Sequence, residues 1–149
     1  MPLYSHSRLG AYETCPLQYK YRYVDRIKKD REGIEAFLGK RVHETLEKLY
    51  KDLKVTKVNS LGDLVTYYND AWRKNWHEHI EIVKKDYTAD NYRKLGEKCI
   101  RDYYRRHFPF DQGKTMGLES QIFIQLDERG DYKLQGYIDR LVQKDDGSI

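Results

Sequence analysis

The sequence predicts an α/β fold, a helical bundle at the N-terminal end followed by a β-hairpin that begins an incomplete mixed sheet. Three observations predict it. Apolar residues from Ile34 to Tyr104 recur at the three-and-four spacing of helix faces. From Leu118 the period drops to two, as a strand requires. A turn, Glu128-Arg129-Gly130-Asp131, then separates two such stretches.

The elements follow in order. Ser5 or Ser7 can cap a short helix through Leu9 and Tyr12. Pro16 suits the first turn of a second helix, Leu17 to about Asp25, whose Tyr19-Lys20-Tyr21-Arg22-Tyr23 alternates aromatic and basic residues. Lys28 to Gly33 reads as a charged loop. Ile34 to Leu53 is a helix with Phe37, Leu38, Val42, Leu46, Leu49 and Leu53 on its apolar face. Ser60 opens a third long helix, with Leu61, Leu64, Val65, Tyr68, Trp72 and Trp76 inside. Thr88 or Asp90 caps a fourth, with Tyr92, Leu95, Cys99, Ile100, Tyr103 and Tyr104 inside, and Pro109 ends it. Leu118 to Asp127 and Tyr132 to Gln143 are the two strands of the hairpin.

The 149 residues suit one domain, with a helical part at 1–110 and the start of a sheet at 117–149. At 39% hydrophobic and 35% charged residues the chain reads as soluble and polar. No apolar run is long enough for a membrane span, and no signal peptide stands first. The two cysteines, Cys15 and Cys99, make no disulfide framework, so a reducing compartment, the cytoplasm, is expected. Fourteen tyrosines stand against four phenylalanines. Tyrosine serves half-buried rims and base stacking equally. The net charge of +4 is uneven: residues 1–54 and 84–107 each carry +4, and residues 111–149 carry −3. Basic helices beside an acidic sheet suit a polyanion held near a metal; solvated helix faces look similar.

The chemistry-bearing residues are few. Asp139 stands in Leu134-Gln135-Gly136-Tyr137-Ile138-Asp139-Arg140-Leu141, whose neighbours read as buried. A buried carboxylate costs several kcal/mol unless a cation or hydrogen bonds compensate. A metal is one compensator; an ion pair with Arg140 or a lysine is another. His43 borders the buried side of its helix, where a packed histidine and a ligand look alike. The cluster His77-Glu78-His79 reads as helix surface, its imidazoles on different faces.

Four stretches in order resemble the PD-(D/E)XK nuclease superfamily, in its RecB/AddB-like branch, which includes CRISPR-associated RecB-like exonucleases. They are Ser5-His6-Ser7-Arg8-Leu9 with Tyr12 and Cys15-Pro16; Gly39-Lys40-Arg41-Val42-His43-Glu44; Glu119; and Gly136-Tyr137-Ile138-Asp139-Arg140. The resemblance implies a restriction-endonuclease-like mixed sheet and a Mg²⁺- or Mn²⁺-dependent deoxyribonuclease acting in repair, recombination or CRISPR adaptation. It implies His43 and Asp139 as metal ligands and gives Glu119 a weaker case, as a carboxylate of the catalytic site in a supporting or structural role; a place on the sheet rim is the alternative reading. The family's acidic-x-Lys motif is expected on a strand after the turn at Asp145 to Ser148; with the sequence ending at Ile149, a truncated domain is expected, one that alone is inactive. The rival expectation is a silent DNA-binding or scaffolding module of a helicase–nuclease complex. Some relatives hold an iron–sulfur cluster on four cysteines; with only Cys15 and Cys99, none is expected here. DNA is the expected partner, with Arg22, Lys40, Arg41, Arg105 and Arg106 on phosphates and Tyr12, Tyr19 and Tyr23 stacking.

Overall fold

The computed structural model describes residues 3–28 and 30–149. The fold is mixed α/β and divides into two compact units, Met1–Lys29 with Gly117–Leu141, and Asp30–Met116 with Val142–Ile149.

The first unit holds most of a three-stranded sheet. Its strands are β1 (Leu3–Ser5), β4 (Lys114–Gln125) and β5 (Lys133–Gln143), in the order β1-β5-β4. β1 runs parallel to β5, with Leu3 opposite Lys133 and Ser5 opposite Gln135. The connection at 126–132 reaches roughly 25 Å at most, too short to carry the chain back along a strand of about 36 Å. β4 and β5 are therefore antiparallel, the expected hairpin. β4 starts four residues earlier than the sequence predicts, and β1 was not predicted.

Ser5 ends β1 and caps α1 (His6–Thr14), its hydroxyl accepting from the Arg8 amide at 3.2 Å. Pro16 stands in the first turn of α2 (Pro16–Tyr19), which widens into a π-helical turn at Lys20–Val24. Arg8 ties these pieces together. Its guanidinium donates to the Leu3 carbonyl at 2.9 Å and to the Tyr19 hydroxyl at 3.1 Å. It also faces the rings of Tyr4, Tyr19 and Tyr23 at 5.4, 5.6 and 5.5 Å. Such cation–π contacts contribute about 0.5–1 kcal/mol each at exposed sites.

The second unit is a bundle of α3 (Ile34–Lys54), α4 (Leu61–Asn75) and α5 (Ala89–His107). Its core holds Ile34, Phe37, Leu49, Tyr50, Leu64, Tyr68, Trp72, Tyr92, Ile100 and Phe110. Ser60 and Thr88 start α4 and α5 with capping boxes, reciprocated by Asp63 and Asn91. The buried Asn59 donates to Asp52 at 2.8 Å and accepts from the Tyr104 hydroxyl at 3.1 Å, fixing the α3–α4 connection.

Some predicted faces turn. On α3 the buried line is Ile34, Phe37, Arg41, Thr45 and Leu49, while Leu38, Val42, Leu46 and Leu53 are half-buried. Polar residues sit inside because their polar atoms find local partners: Thr45 donates to the Arg41 carbonyl at 2.8 Å, and Arg41 reaches Glu44 at 2.8 Å. On α5, Leu95 and Cys99 are exposed and Gly96 takes the inner position, because a Cβ there would collide with Tyr68. Trp76 caps the end of α4 and is 40% exposed. His77 to His79 lie beyond α4, in a loop. They are exposed, as expected, though not on a helix. The predicted charged loop ends in β2 (Glu32–Gly33), which pairs in parallel with β3 (Ile80–Glu81); Lys29 of that loop lies outside the described residues.

Candidate metal centre

The hairpin brings two carboxylates together. Glu119 lies on β4 and Asp139 on the neighbouring β5, and each offers an oxygen within 4.8 Å of the other. Ligands about 2.1 Å from one octahedral Mg²⁺ stand roughly 3–4 Å apart, so small side-chain adjustments let both oxygens share a cation. Glu119 is half-buried and holds a backbone φ of 50°, left-handed, which is uncommon for a residue with a side chain. Such conformations cost on the order of 1–3 kcal/mol and gather where function requires a particular placement.

Asp139 is exposed, which corrects the reading of a buried carboxylate. The strand's alternation gives the reason: Tyr137 and Asp139 project from one open face, while Ile138 and Arg140 are half-buried on the other. The case for a ligand at Asp139 thus rests on the neighbouring Glu119 rather than on a desolvation cost. The same alternation sends Arg140 away from the Asp139 face.

His43 is half-buried on α3, in the bundle unit. The nucleic-acid candidates divide by exposure. Arg105 and Arg106 are exposed in the last turn of α5. Arg22 is exposed, beside the Tyr23 ring at 5.5 Å. Tyr12 is 57% exposed and meets Tyr19 edge-on at 5.3 Å. Tyr19 and Tyr23 are half-buried against each other and Arg8, so packing uses much of their surface. Lys40 is exposed but bonded to Glu32 at 2.6 Å. That bond, with a smaller contribution from His77, holds the Glu32 carboxyl below its usual range against some desolvation. Arg41 is the correction: it is only 7% exposed, set over the Phe37 ring at 5.1 Å and bonded to Glu44, so it is not presented to a phosphate. Cys15 is half-buried and Cys99 exposed, one in each unit, and both are free thiols.

Two residues escaped the sequence reading. Arg8, the cation among three tyrosines, was visible only as part of a motif. Tyr137 stands on the Asp139 face, and the two-residue spacing was the signal for it.

Paired carboxylates on adjacent strands of a mixed sheet are a donor arrangement that can hold a divalent cation. The profile of the PD-(D/E)XK nuclease superfamily matches residues 4–149. The chain belongs to that superfamily, whose members are generally nucleases and typically use divalent metals. No curated protein and no solved structure matches it. Among the described residues no helix is long and apolar enough to cross a membrane.

Proposed function

We propose that this chain is a single Mg²⁺- or Mn²⁺-dependent deoxyribonuclease domain of the RecB-like kind, with Glu119, Asp139 and His43 as its metal ligands. The Glu119–Asp139 pair carries the reading; His43 is assigned as the imidazole ligand on the Gly-x-x-x-His pattern of Gly39 to His43. Two carboxylates and one imidazole suit Mn²⁺, and Mg²⁺ accepts the same oxygens with water in the remaining positions. A bound divalent cation supplies charge neutralisation at a phosphodiester and a more acidic water. The protein's own part is to bring Glu119 of β4 and Asp139 of β5 within reach of one cation. Arg105, Arg106 and Arg22 would draw the phosphate backbone in. Repair, recombination or CRISPR adaptation is the proposed setting, in the cytoplasm and beside a helicase or other nuclease subunit.

The test titrates Mn²⁺ into the chain and its Asp139→Ala, Glu119→Ala and His43→Ala variants, then presents labelled single-stranded and duplex DNA in Mn²⁺ and Mg²⁺. Each substitution is expected to weaken Mn²⁺ binding by more than the roughly 10–100-fold that outer-shell changes cost. Any cleavage should vanish in Asp139→Ala. Unchanged Mn²⁺ binding in all three variants would refute the site. DNA bound in the presence of metal and never cut selects the rival function, a binding or scaffolding module.

A further inference from the structure

Tyr137 is 60% exposed on β5, the central strand of the sheet. It precedes Asp139 by two residues, so both side chains leave the same face, about 7 Å apart along the strand. Pairing of β1 with β5 brings the start of α1 alongside. A groove results, with Ser5, His6 and Ser7 along one wall and Gln135, Gly136 and Tyr137 along the other. The Gln135 amide donates to the Tyr137 hydroxyl at 3.2 Å, which restrains the ring and leaves its face open. Tyr19 and Tyr23 of the N-terminal helices differ, because they are half-buried against each other and Arg8.

We propose that Tyr137 stacks on the nucleobase next to the phosphate that a cation at Glu119 and Asp139 would hold, making the groove a subsite for an unpaired strand. The inference rests on the nuclease reading and names the substrate class of that site. In a duplex, successive phosphates of one strand advance about 3.4 Å along the axis and the bases are stacked. A ring about 7 Å along the strand from Asp139 meets a free base face only where neighbouring bases have come apart. Stacking is tolerant of sequence, since every base has a π-face. It therefore suits a protein whose recognition falls on backbone and shape. The hydroxyls of Ser5 and Ser7 lie 3.1 Å apart, and Ser5 caps α1, so the opposite wall is fixed by the fold before any strand arrives.

The experiment uses the whole chain with Tyr137→Ala and Tyr137→Phe. Binding in Mn²⁺ at fixed salt is measured on a single-stranded oligonucleotide and on a blunt duplex. A single strand carrying 2-aminopurine reports stacking by its fluorescence. Tyr137→Ala should weaken single-strand binding about tenfold, within the range for one base–aromatic stack, and leave duplex binding unchanged. Tyr137→Phe should bind like the parent. The 2-aminopurine signal should be quenched by the parent and by Tyr137→Phe only. Equal binding by Tyr137→Ala and the parent overturns the proposal. So does equal loss in both variants, which would assign the effect to the hydroxyl. Loss of Mn²⁺ affinity in Tyr137→Ala also overturns it, because the change would then be structural. A parent that binds neither Mn²⁺ nor DNA sinks the nuclease reading itself, an outcome distinct from a parent that binds both while Tyr137→Ala matches it.

Discussion

Glu119 holds a conformation that glycine adopts freely, with φ at 50° in the middle of a strand pair. A left-handed residue with a Cβ costs roughly 1–2 kcal/mol. Glu119→Gly should therefore raise stability by about 1 kcal/mol while it abolishes one carboxylate of the metal pair. Glu119→Gln keeps the Cβ and should gain no stability while it weakens the metal. Urea denaturation beside Mn²⁺ titration of both variants separates the two effects; Glu119→Gly less stable than the parent would show that the side chain holds the hairpin together. A second residue-scale test lies in the bundle. The Tyr68 hydroxyl is buried, has no hydrogen-bond partner among the described residues, and presses on Gly96. Burial raises its pKa well above the usual tyrosine value, with the Glu97 charge adding to the rise. Tyr68→Phe removes an unsatisfied group and should be neutral or stabilising by up to about 1 kcal/mol. Gly96→Ala forces a Cβ into that ring and should cost about 1–3 kcal/mol. Thermal melts of the two variants check the opposite signs.

The starts of the helices show the link between sequence and element most directly. Ser60 closes a box in which its hydroxyl accepts from the Asp63 amide at 3.1 Å and the Asp63 carboxylate accepts from the Ser60 amide at 2.9 Å. Ser60→Ala should cost about 1 kcal/mol near neutral pH. The Ser60 hydroxyl, and then its amide, hold the Asp63 carboxyl below its usual value of 3.8. A carboxyl with a lowered folded pKa stabilises above its ordinary value, and that contribution is lost as pH falls through the folded one. The gap between parent and Ser60→Ala should thus shrink below pH 3.8, as denaturation at neutral and acid pH would show. Ser60 was legible as a cap, and Ser5 and Thr88 each as one of two candidates beside Ser7 and Asp90, because a short polar side chain before an apolar period has a local explanation. β1 was not legible: three residues carry no period, and their partner Lys133–Gln135 is remote in sequence. β2 and β3, two residues each, are paired for the same non-local reason. The α3 face was read by residue type, which ranks Arg41 and Thr45 as polar and misses the local bonds that let them turn inward. At the site, spacing was legible and exposure was not. Asp139 was found by its motif, yet apolar neighbours in sequence do not fix which sheet face is open.

Charge is a property of the whole molecule, and here it separates a binding role from mere solubility. Residues 84–107 carry +4, and Arg105 and Arg106 are exposed at the C-terminal end of α5. Cations there also favour the helix dipole, so their presence alone does not prove contact with DNA. The salt dependence does discriminate. Each phosphate neutralised on a single strand contributes about −0.7 to the slope of log affinity against log salt. If both arginines contact phosphates, the Arg105→Ala, Arg106→Ala double variant should flatten that slope by about 1.4, with binding weakened on every sequence alike. If they serve only the helix, stability falls slightly and the slope stays as it was. Lys40→Ala is the graded control: its ammonium is shared with Glu32 at 2.6 Å, so its contribution should be smaller than that of one free arginine. Arg41→Ala is the negative control. Buried over Phe37 and bonded to Glu44, it should lower stability and leave the slope untouched. A slope that responds to Arg41 and not to Arg105 and Arg106 would reverse the assignment of the basic surface that exposure supports.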